Sequence, residues 1–139
     1  MLTISLTYYN QGKKAFLKHL ELWKSYSPEI RKMFKFIVVD DCSKTPLEQL
    51  IKDLDLKDLN FNLYRVDEDL YCNIPGAMNL SAKECITDWI LFLDMDTLID
   101  KKMSEQLSEI IKKDKKKTVY KFNRITENKK DNRYHKIHP

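Results

Sequence analysis

The sequence predicts an α/β fold in which a mostly parallel β-sheet carries helices on both faces. Five short apolar segments alternate with four segments of helical periodicity, in the order βαβαβαβαβ. Two of the apolar segments, FKFIVVD and WILFLD, are almost continuously hydrophobic, which is typical of strands that are buried on both faces. The chain has 139 residues, of which 42% are hydrophobic, so it can form one domain with a substantial core.

The predicted strands are residues 2–7, 34–40, 61–66, 89–94 and 118–122. In the four segments between them, apolar side chains recur at helical spacing and form one stripe per segment. These stripes are Phe16, Leu20 and Trp23, then Leu47, Leu50, Ile51 and Leu54, then Met78, Ala82, Cys85 and Ile86, and last Met103, Leu107, Ile110 and Ile111.

Turn and capping residues mark the ends of the predicted helices. Pro28 closes the first helical segment. The second begins with a capping box formed by Thr45 and Glu48, in which Pro46 takes the first helical position. Pro75 and Gly76 open the third helix, and Asp100 is the expected N-cap of the fourth.

Composition excludes several classes of protein. Gly12 and Gly76 are the only glycines, so the chain contains neither a G-x-G-x-x-G dinucleotide loop nor a Walker P-loop. Three cysteines without a C-x-x-C pattern predict reduced thiols rather than a disulfide framework or a zinc site. No apolar run approaches the ~18 residues that cross a bilayer, and MLTISLTYYN reads as a strand rather than a signal peptide. We therefore expect a cytoplasmic protein without a transmembrane segment.

The net charge of +4 conceals an acidic body and a basic end. Residues 112–139 hold eleven Lys or Arg and three Asp or Glu, whereas residues 1–111 hold fourteen and eighteen. A basic segment can meet nucleic acid, anionic lipid or an anionic substrate, but no motif of a nucleic-acid-binding module accompanies it. We interpret it as a solvated end and expect no nucleic-acid partner. The predicted organisation is a domain over residues 1–124, followed over 125–139 by a basic tail or by the start of a further region.

Polar and acidic residues follow three of the predicted strands. In parallel sheets, ligands bind outside the carboxyl ends of the strands, so these residues are the candidate site. They are Thr7, Tyr8, Tyr9 and Asn10 after the first strand, Asp40 and Asp41 at the end of the second, and Asp94, Met95 and Asp96 after the fourth.

Each of these groups has a functional and a structural interpretation. Asp94 and Asp96 can share a divalent cation with substrate phosphates, or they can be an N-cap and an ordinary loop acid. Asp41 can accept an N–H of a nucleotide base, whereas Asp40 is expected to be a buried acid satisfied by backbone donors. Tyr8 and Tyr9 point to opposite sides of an extended chain, so one should pack inward and the other face the rim.

Four sequence segments together resemble the N-terminal, nucleotide-binding half of family 2 glycosyltransferases. TISLTYYNQ, FIVVDDCS, GAMN and LDMDTLI occur in the order and at the spacing that are typical of that family. The resemblance covers roughly residues 2–122 and implies the GT-A fold, with strand order 3-2-1-4 for the first four strands. It also implies transfer of a sugar from a nucleotide-diphospho-sugar, most often a UDP-sugar, to a saccharide or other hydroxyl acceptor.

The resemblance assigns a role to individual residues. Asp96 and Asp94 would bind Mn²⁺ or Mg²⁺ as the D-x-D motif, with Asp96 in direct contact with the metal. The residues that would contact the nucleotide are Thr7, Tyr9, Asn10, Asp41, Asn73, Asn79 and Asp94.

The sequence departs from the family pattern in three respects. Met95 replaces an acid that often occupies the middle of the D-x-D motif, and Met78 stands where a basic residue is frequent. The acceptor-binding half and the catalytic base of the family would lie beyond Pro139, and only Glu127 and Asp131 remain as weak candidates for that base. The chain therefore resembles a truncated or minimal transferase, which a partner chain or a second copy could complete.

Two other functions are compatible with the sequence. A module that binds a nucleotide or a protein without catalysis would need no acceptor half. LDMDTLID also resembles the nucleophile strand of haloacid-dehalogenase-like phosphatases, but the glycine of their D-x-D-G-T pattern is missing, so Thr97 falls one position early.

Overall fold

The computed structural model describes residues 1–71, 73–113 and 118–122. Four strands form one sheet: β1 (Leu2–Tyr8), β2 (Phe34–Asp40), β3 (Phe61–Arg65) and β4 (Trp89–Leu93). The sheet order is β3-β2-β1-β4, and all three pairings are parallel. The predicted α/β class and the order of the first four strands are both confirmed.

Five helices connect or follow these strands. They are α1 (Lys13–Ser25), α2 (Pro28–Met33), α3 (Leu47–Ile51), α4 (Ile74–Glu84) and α5 (Lys101–Lys113). Helices α1, α3 and α5 contribute to the larger core on one face of the sheet, whereas Ala77 of α4 packs against Ile37 and Val39 on the other face. The expected coverage of both faces by helices is therefore confirmed.

The larger core is built from alternate residues of β1 and β2 and from the apolar stripe of α1. Phe16, Leu20 and Trp23 are buried as predicted, and the Trp23 ring stacks on Phe36 with a centroid separation of 4.2 Å. Stacked and edge-to-face rings add about 0.5–1.5 kcal/mol per pair beyond the burial of their area. This packing fixes α1 against the sheet.

Helix α4 packs through a different face from the one that its apolar residues predict. Ala77 and Ser81 are buried, whereas Ala82 is exposed and Ile86, just beyond the helix, is 84% exposed. Small side chains let a helix approach a sheet closely, so the contact is made by residues that a hydrophobic pattern ranks low. The structure also shows that β4 is only half-buried, so the expected burial of WILFL on both faces is wrong for the described residues.

The predicted fifth strand is not formed. Residues 118–122 are described without strand structure, and Val119 is 96% exposed. Tyr120 packs its ring on Trp89 at a centroid distance of 5.8 Å, but this segment adds no strand to the sheet. β-branched and aromatic residues favour a strand mainly through packing on a neighbour, so the sequence pattern is insufficient here.

Two predicted helix boundaries are also corrected. Pro28 does not only end a helix but stands in the first turn of the additional helix α2, whose N-cap Ser27 accepts the Ile30 N–H. The capping box at Thr45 is absent, because the N-cap of α3 is Pro46 and makes no side-chain bond. The Asp100 cap is confirmed by a 2.7 Å bond from the Met103 N–H to its carboxylate.

Candidate functional site

A cleft of about 530 Å³ opens at the carboxyl ends of β1 and β4. The order of strands reverses between these two, since β2 and β3 lie on one side of β1 and β4 on the other. Ligands of open α/β sheets bind at such a reversal. The residues that line the cleft are Thr7, Tyr9, Gln11, Ala15, Lys18, Ile74, Asp94, Met95, Asp96 and Leu98.

The two acids after β4 both reach this cleft. Asp94 and Asp96 are exposed, whereas Met95 between them is 6% exposed and belongs to the core. A turn follows, in which the Thr97 N–H donates to the Asp94 carbonyl at 2.9 Å. The side chains of these three residues therefore alternate in direction. Met95 points into the core, and the Asp94 and Asp96 carboxylates point outward.

This arrangement suits a divalent cation that shares its ligands with a substrate. Among the described residues, no group of three or more His, Cys, Asp or Glu converges as a complete protein cage for a metal. Mg²⁺ is usually held by one or two carboxylates together with water and substrate phosphates, so two carboxylates on an open cleft fit this chemistry. A closed structural metal site does not fit it.

The adjacent acids at the end of β2 have opposite environments. Asp40 is 1% exposed and is fully satisfied by protein donors. Its carboxylate accepts the N–H groups of Ser43 and Leu47 at 2.8 Å and the Arg65 guanidinium at 2.7 Å. These bonds join β2, the following loop, α3 and β3. The expectation that Asp40 is a structural acid is confirmed.

Asp41 is equally buried but lacks such partners. It is 1% exposed, and among the described residues neither carboxylate oxygen has a hydrogen-bond partner of ordinary geometry. Burial raises the pKa of Asp41, the nearby backbone of Asn73 partly opposes that rise, and the charges of Asp69 and Asp40 add to it. Unpartnered buried acceptors are rare in proteins, so this carboxylate is the side chain most in need of an external donor.

The two tyrosines after β1 separate as predicted. Tyr8 is 1% exposed and packs in the larger core, whereas Tyr9 lines the cleft. The Tyr9 hydroxyl donates to the Asp69 carboxylate at 3.4 Å, which links the cleft to the loop after β3. Tyr9 is therefore the aromatic side chain that can stack on a ligand.

The three asparagines singled out by the sequence do not line the cleft. The Asn10 carboxamide oxygen accepts the Lys44 N–H at 2.9 Å and so ties the first rim loop to the second. Asn73 caps α4 by accepting the Gly76 N–H at 3.0 Å. A Cβ at Gly76 would lie 2.2 Å from Asn73 Nδ2, so this cap requires glycine there. Asn79 is exposed on α4, away from the residues of the cleft.

Sequence reasoning missed the contribution of α1 to the site. Lys18 lines the cleft beside the two acids, and buried His19 donates from Nε2 to the Met95 carbonyl at 2.7 Å. Burial lowers the pKa of His19, while the Met95 bond and the charge of Asp96 oppose that change. No sequence signal separates Lys18 from the other lysines of α1, because only the packing of the helix decides which of them faces the cleft.

Comparison with known proteins shows the fold that this chain shares with solved structures and then the family to which it belongs. The structure is similar to residues 1–349 of Staphylococcus aureus TarS, with a TM-score of 0.63 and 20% identity over 80% of this chain and 32% of that chain. It is also similar to TarS 1–349 in complex with UDP-GlcNAc, with a TM-score of 0.60 and 20% identity over 80% of this chain and 31% of that chain.

A third similar structure is the mannosyltransferase PcManGT from Pyrobaculum calidifontis in complex with GDP-Man and Mn²⁺, with a TM-score of 0.62 and 16% identity. That match covers 80% of this chain and 31% of that chain, so this chain spans about a third of the length of these structures. The shared fold is that of the GT-A glycosyltransferases.

The family model "Glycosyl transferase family 2" matches residues 4–139, so the chain belongs to glycosyltransferase family 2. No curated protein sequence matches the chain significantly. This membership removes the phosphatase alternative that LDMDTLID left open. Within the described part of the chain, no helix is long and apolar enough to cross a membrane. The domain boundary at residue 124 stays a prediction, because residues 123–139 lie outside the described residues.

Proposed function

We propose that the cleft binds a nucleotide-diphospho-sugar and that the protein transfers its sugar to a hydroxyl acceptor. The supporting observation is the shared position of Asp94, Asp96 and Tyr9 on one cleft at the strand-order reversal. Similar structures hold UDP-GlcNAc or GDP-Man. The family membership supports a transferase rather than another kind of nucleotide-binding protein.

Asp96 and Asp94 are the residues that would hold Mn²⁺ or Mg²⁺. A divalent cation bound to a diphosphate stabilises the negative charge that develops on the departing nucleoside diphosphate. Lys18 lines the same cleft and adds a positive charge to it. Together, a divalent cation and one lysine would offset part of the negative charge of the nucleoside diphosphate and of the two carboxylates.

Asp41 and Tyr9 are the residues that would recognise the base. The unpartnered Asp41 carboxylate can accept the N3–H of uracil, and Tyr9 can stack on the face of the ring. Thr7, the second-last residue of β1, lines the same cleft. We favour UDP as the nucleotide, because the resemblance to family 2 glycosyltransferases implies a UDP-sugar and the N3–H of uracil supplies a donor for Asp41.

A specific observation supports a second function, which is nucleotide binding without catalysis. The chain spans about a third of the similar glycosyltransferase structures, and the candidate catalytic bases Glu127 and Asp131 lie outside the described residues. A nucleotide-binding module without catalysis would use the same cleft. The two functions differ in turnover and not in nucleotide binding.

Titration calorimetry with UDP in the presence of Mn²⁺ or of EDTA tests the proposal. We expect binding that depends on Mn²⁺ and that falls at least tenfold in Asp96→Ala, because the metal loses one of its two protein ligands. Asp53→Ala is the matched control, since Asp53 is an exposed acid that does not line the cleft, and it should leave the affinity unchanged.

Release of UDP from a UDP-sugar then separates the transferase from the binding module. Metal-dependent release that Asp96→Ala abolishes supports transfer. Binding without release supports the module. Absence of any UDP or GDP binding, with or without Mn²⁺, contradicts both functions.

A further inference from the structure

The loop that carries Asp94 and Asp96 is held from within the protein by α1 and the residue that caps it. The His19 Nε2–H donates to the Met95 carbonyl at 2.7 Å, and both residues are buried. At the far end of the loop, the hydroxyl of Tyr26, the C-cap of α1, donates to the Ile99 carbonyl. Two buried side chains, one on α1 and one at its C-cap, therefore each donate a hydrogen bond to a backbone carbonyl of this loop.

The hydrogen bond from His19 to the Met95 carbonyl matters for the cleft because of its position. The Met95 carbonyl belongs to the peptide unit that joins Met95 to Asp96, and a peptide unit is planar. Fixing its oxygen therefore fixes the point from which the Asp96 side chain leaves the backbone. The Met95 side chain, which belongs to the larger core, anchors the same residue a second time.

Two neighbouring carboxylates need such support. They repel each other when no cation lies between them, so an unrestrained loop would let them separate. A site whose ligands are already in place binds its metal more tightly, because no ordering remains to be done on binding. We infer that His19 is a positioning residue, which holds the Met95–Asp96 peptide so that both carboxylates face the cleft. The identity of the ligand in this inference rests on the proposed function.

The variants His19→Leu and His19→Gln test whether His19 positions the loop through its hydrogen bond or only fills space in the core. Glutamine can place an amide N–H near the position of the histidine Nε2–H, whereas leucine fills the volume without a donor. We expect His19→Leu to weaken Mn²⁺·UDP binding about tenfold, the lower end of what loss of a supporting hydrogen bond costs a metal site. His19→Gln should restore the affinity to within about threefold of the wild type on the same grounds.

Tyr26→Phe is the matched control, since it removes a buried bond from the same region to the other end of the loop. It should lower the thermal midpoint and leave Mn²⁺·UDP affinity near the wild-type value. The inference fails if Tyr26→Phe weakens binding as much as His19→Leu, or if His19→Gln does not restore it. Should His19→Leu not fold, His19→Asn, whose shorter amide does not reach the carbonyl, takes its place.

Amide hydrogen exchange in the metal-free protein provides a readout that does not need the ligand. Exchange at residues 95–98 should be faster in His19→Leu, or in His19→Asn, and unchanged in His19→Gln. Equal exchange in all variants contradicts the inference. If the wild type binds no Mn²⁺·UDP, the proposed function fails, while the exchange data still decide whether His19 orders the loop.

Discussion

Asp41→Asn is expected to make the folded protein more stable at pH 7 and to weaken UDP binding. Among the described residues, the buried Asp41 carboxylate has no hydrogen-bond partner of ordinary geometry and only the nearby Asn73 backbone to stabilise it, so its charge costs folding free energy. A buried unsatisfied group costs about 1–3 kcal/mol, and a neutral amide in its place should recover part of that. The amide oxygen of the substituted side chain can still accept the base N–H, so the loss is the difference between a charged and a neutral hydrogen bond, about 1–1.5 kcal/mol, and we expect UDP affinity to fall about tenfold.

The stability gain of Asp41→Asn over the wild type should increase with pH. Burial raises the pKa of Asp41 above its ordinary value of 3.8. Between 3.8 and the raised value, the folded state therefore binds more protons than the unfolded state. The contribution of Asp41 to stability is then present below pH 3.8 and lost as the pH rises through the raised pKa. The advantage of Asp41→Asn should consequently be small at pH 3.5 and complete at pH 7, by this linkage.

Denaturant unfolding of the wild type and Asp41→Asn at both pH values measures this difference, and UDP titration measures the loss of binding. Asp67→Asn is the control, because Asp67 is an exposed acid close to the same rim. A lower stability of Asp41→Asn at pH 7 would show that the carboxylate is satisfied within the folded protein. Unchanged UDP affinity would remove Asp41 from the base site.

Asp40→Ala is expected to destabilise the protein by about 2–6 kcal/mol, because two backbone N–H groups lose their buried acceptor and each such loss costs about 1–3 kcal/mol. The substitution leaves the N–H groups of Ser43 and Leu47 without their acceptor and removes the carboxylate partner of Arg65, whose guanidinium keeps its bond to the Ser43 carbonyl. These donors come from the loop, from α3 and from β3, so three contacts are lost together. Denaturant unfolding at pH 7 measures the effect.

Arg65→Met provides the comparison for this prediction. The Arg65 side chain is 33% exposed, so water can replace part of its bond, and the loss should be about 1 kcal/mol. The two backbone bonds to Asp40 remain in that variant. If Asp40→Ala proves no more destabilising than Arg65→Met, the backbone bonds contribute little and the structural role assigned to Asp40 is wrong.

The sequence predicted the sheet well because its strands are marked by local patterns. Near-continuous apolar runs identify β2 and β4, and the helical segments between successive strands predict parallel pairing. The resemblance to family 2 glycosyltransferases supplied the order 3-2-1-4. The same logic failed for residues 118–122, where a strand-like composition has no paired neighbour strand in the described structure.

The candidate site was predictable only in part. The sequence singled out the acids and the aromatic that follow β1, β2 and β4, since parallel strands deliver their carboxyl ends to one edge; of these, Tyr9, Asp94 and Asp96 line the cleft, whereas Asp41 does not. The roles of Asn10 and Asn73 as loop and helix caps were not, because capping depends on which N–H groups the folded chain leaves unpaired. Asn79 also stays on the exposed side of α4.

By itself, the sequence determined the α/β class, the family resemblance and the edge of the sheet on which chemistry can occur. These properties depend on hydrophobic periodicity and on residues that directly follow strands. Only the tertiary structure decided that Asp40 is satisfied while Asp41 is not, and that His19 reaches Met95 across 76 positions of the chain. Hydrogen bonding and burial depend on neighbours that are distant in sequence, and these meet only when the helices pack on the sheet.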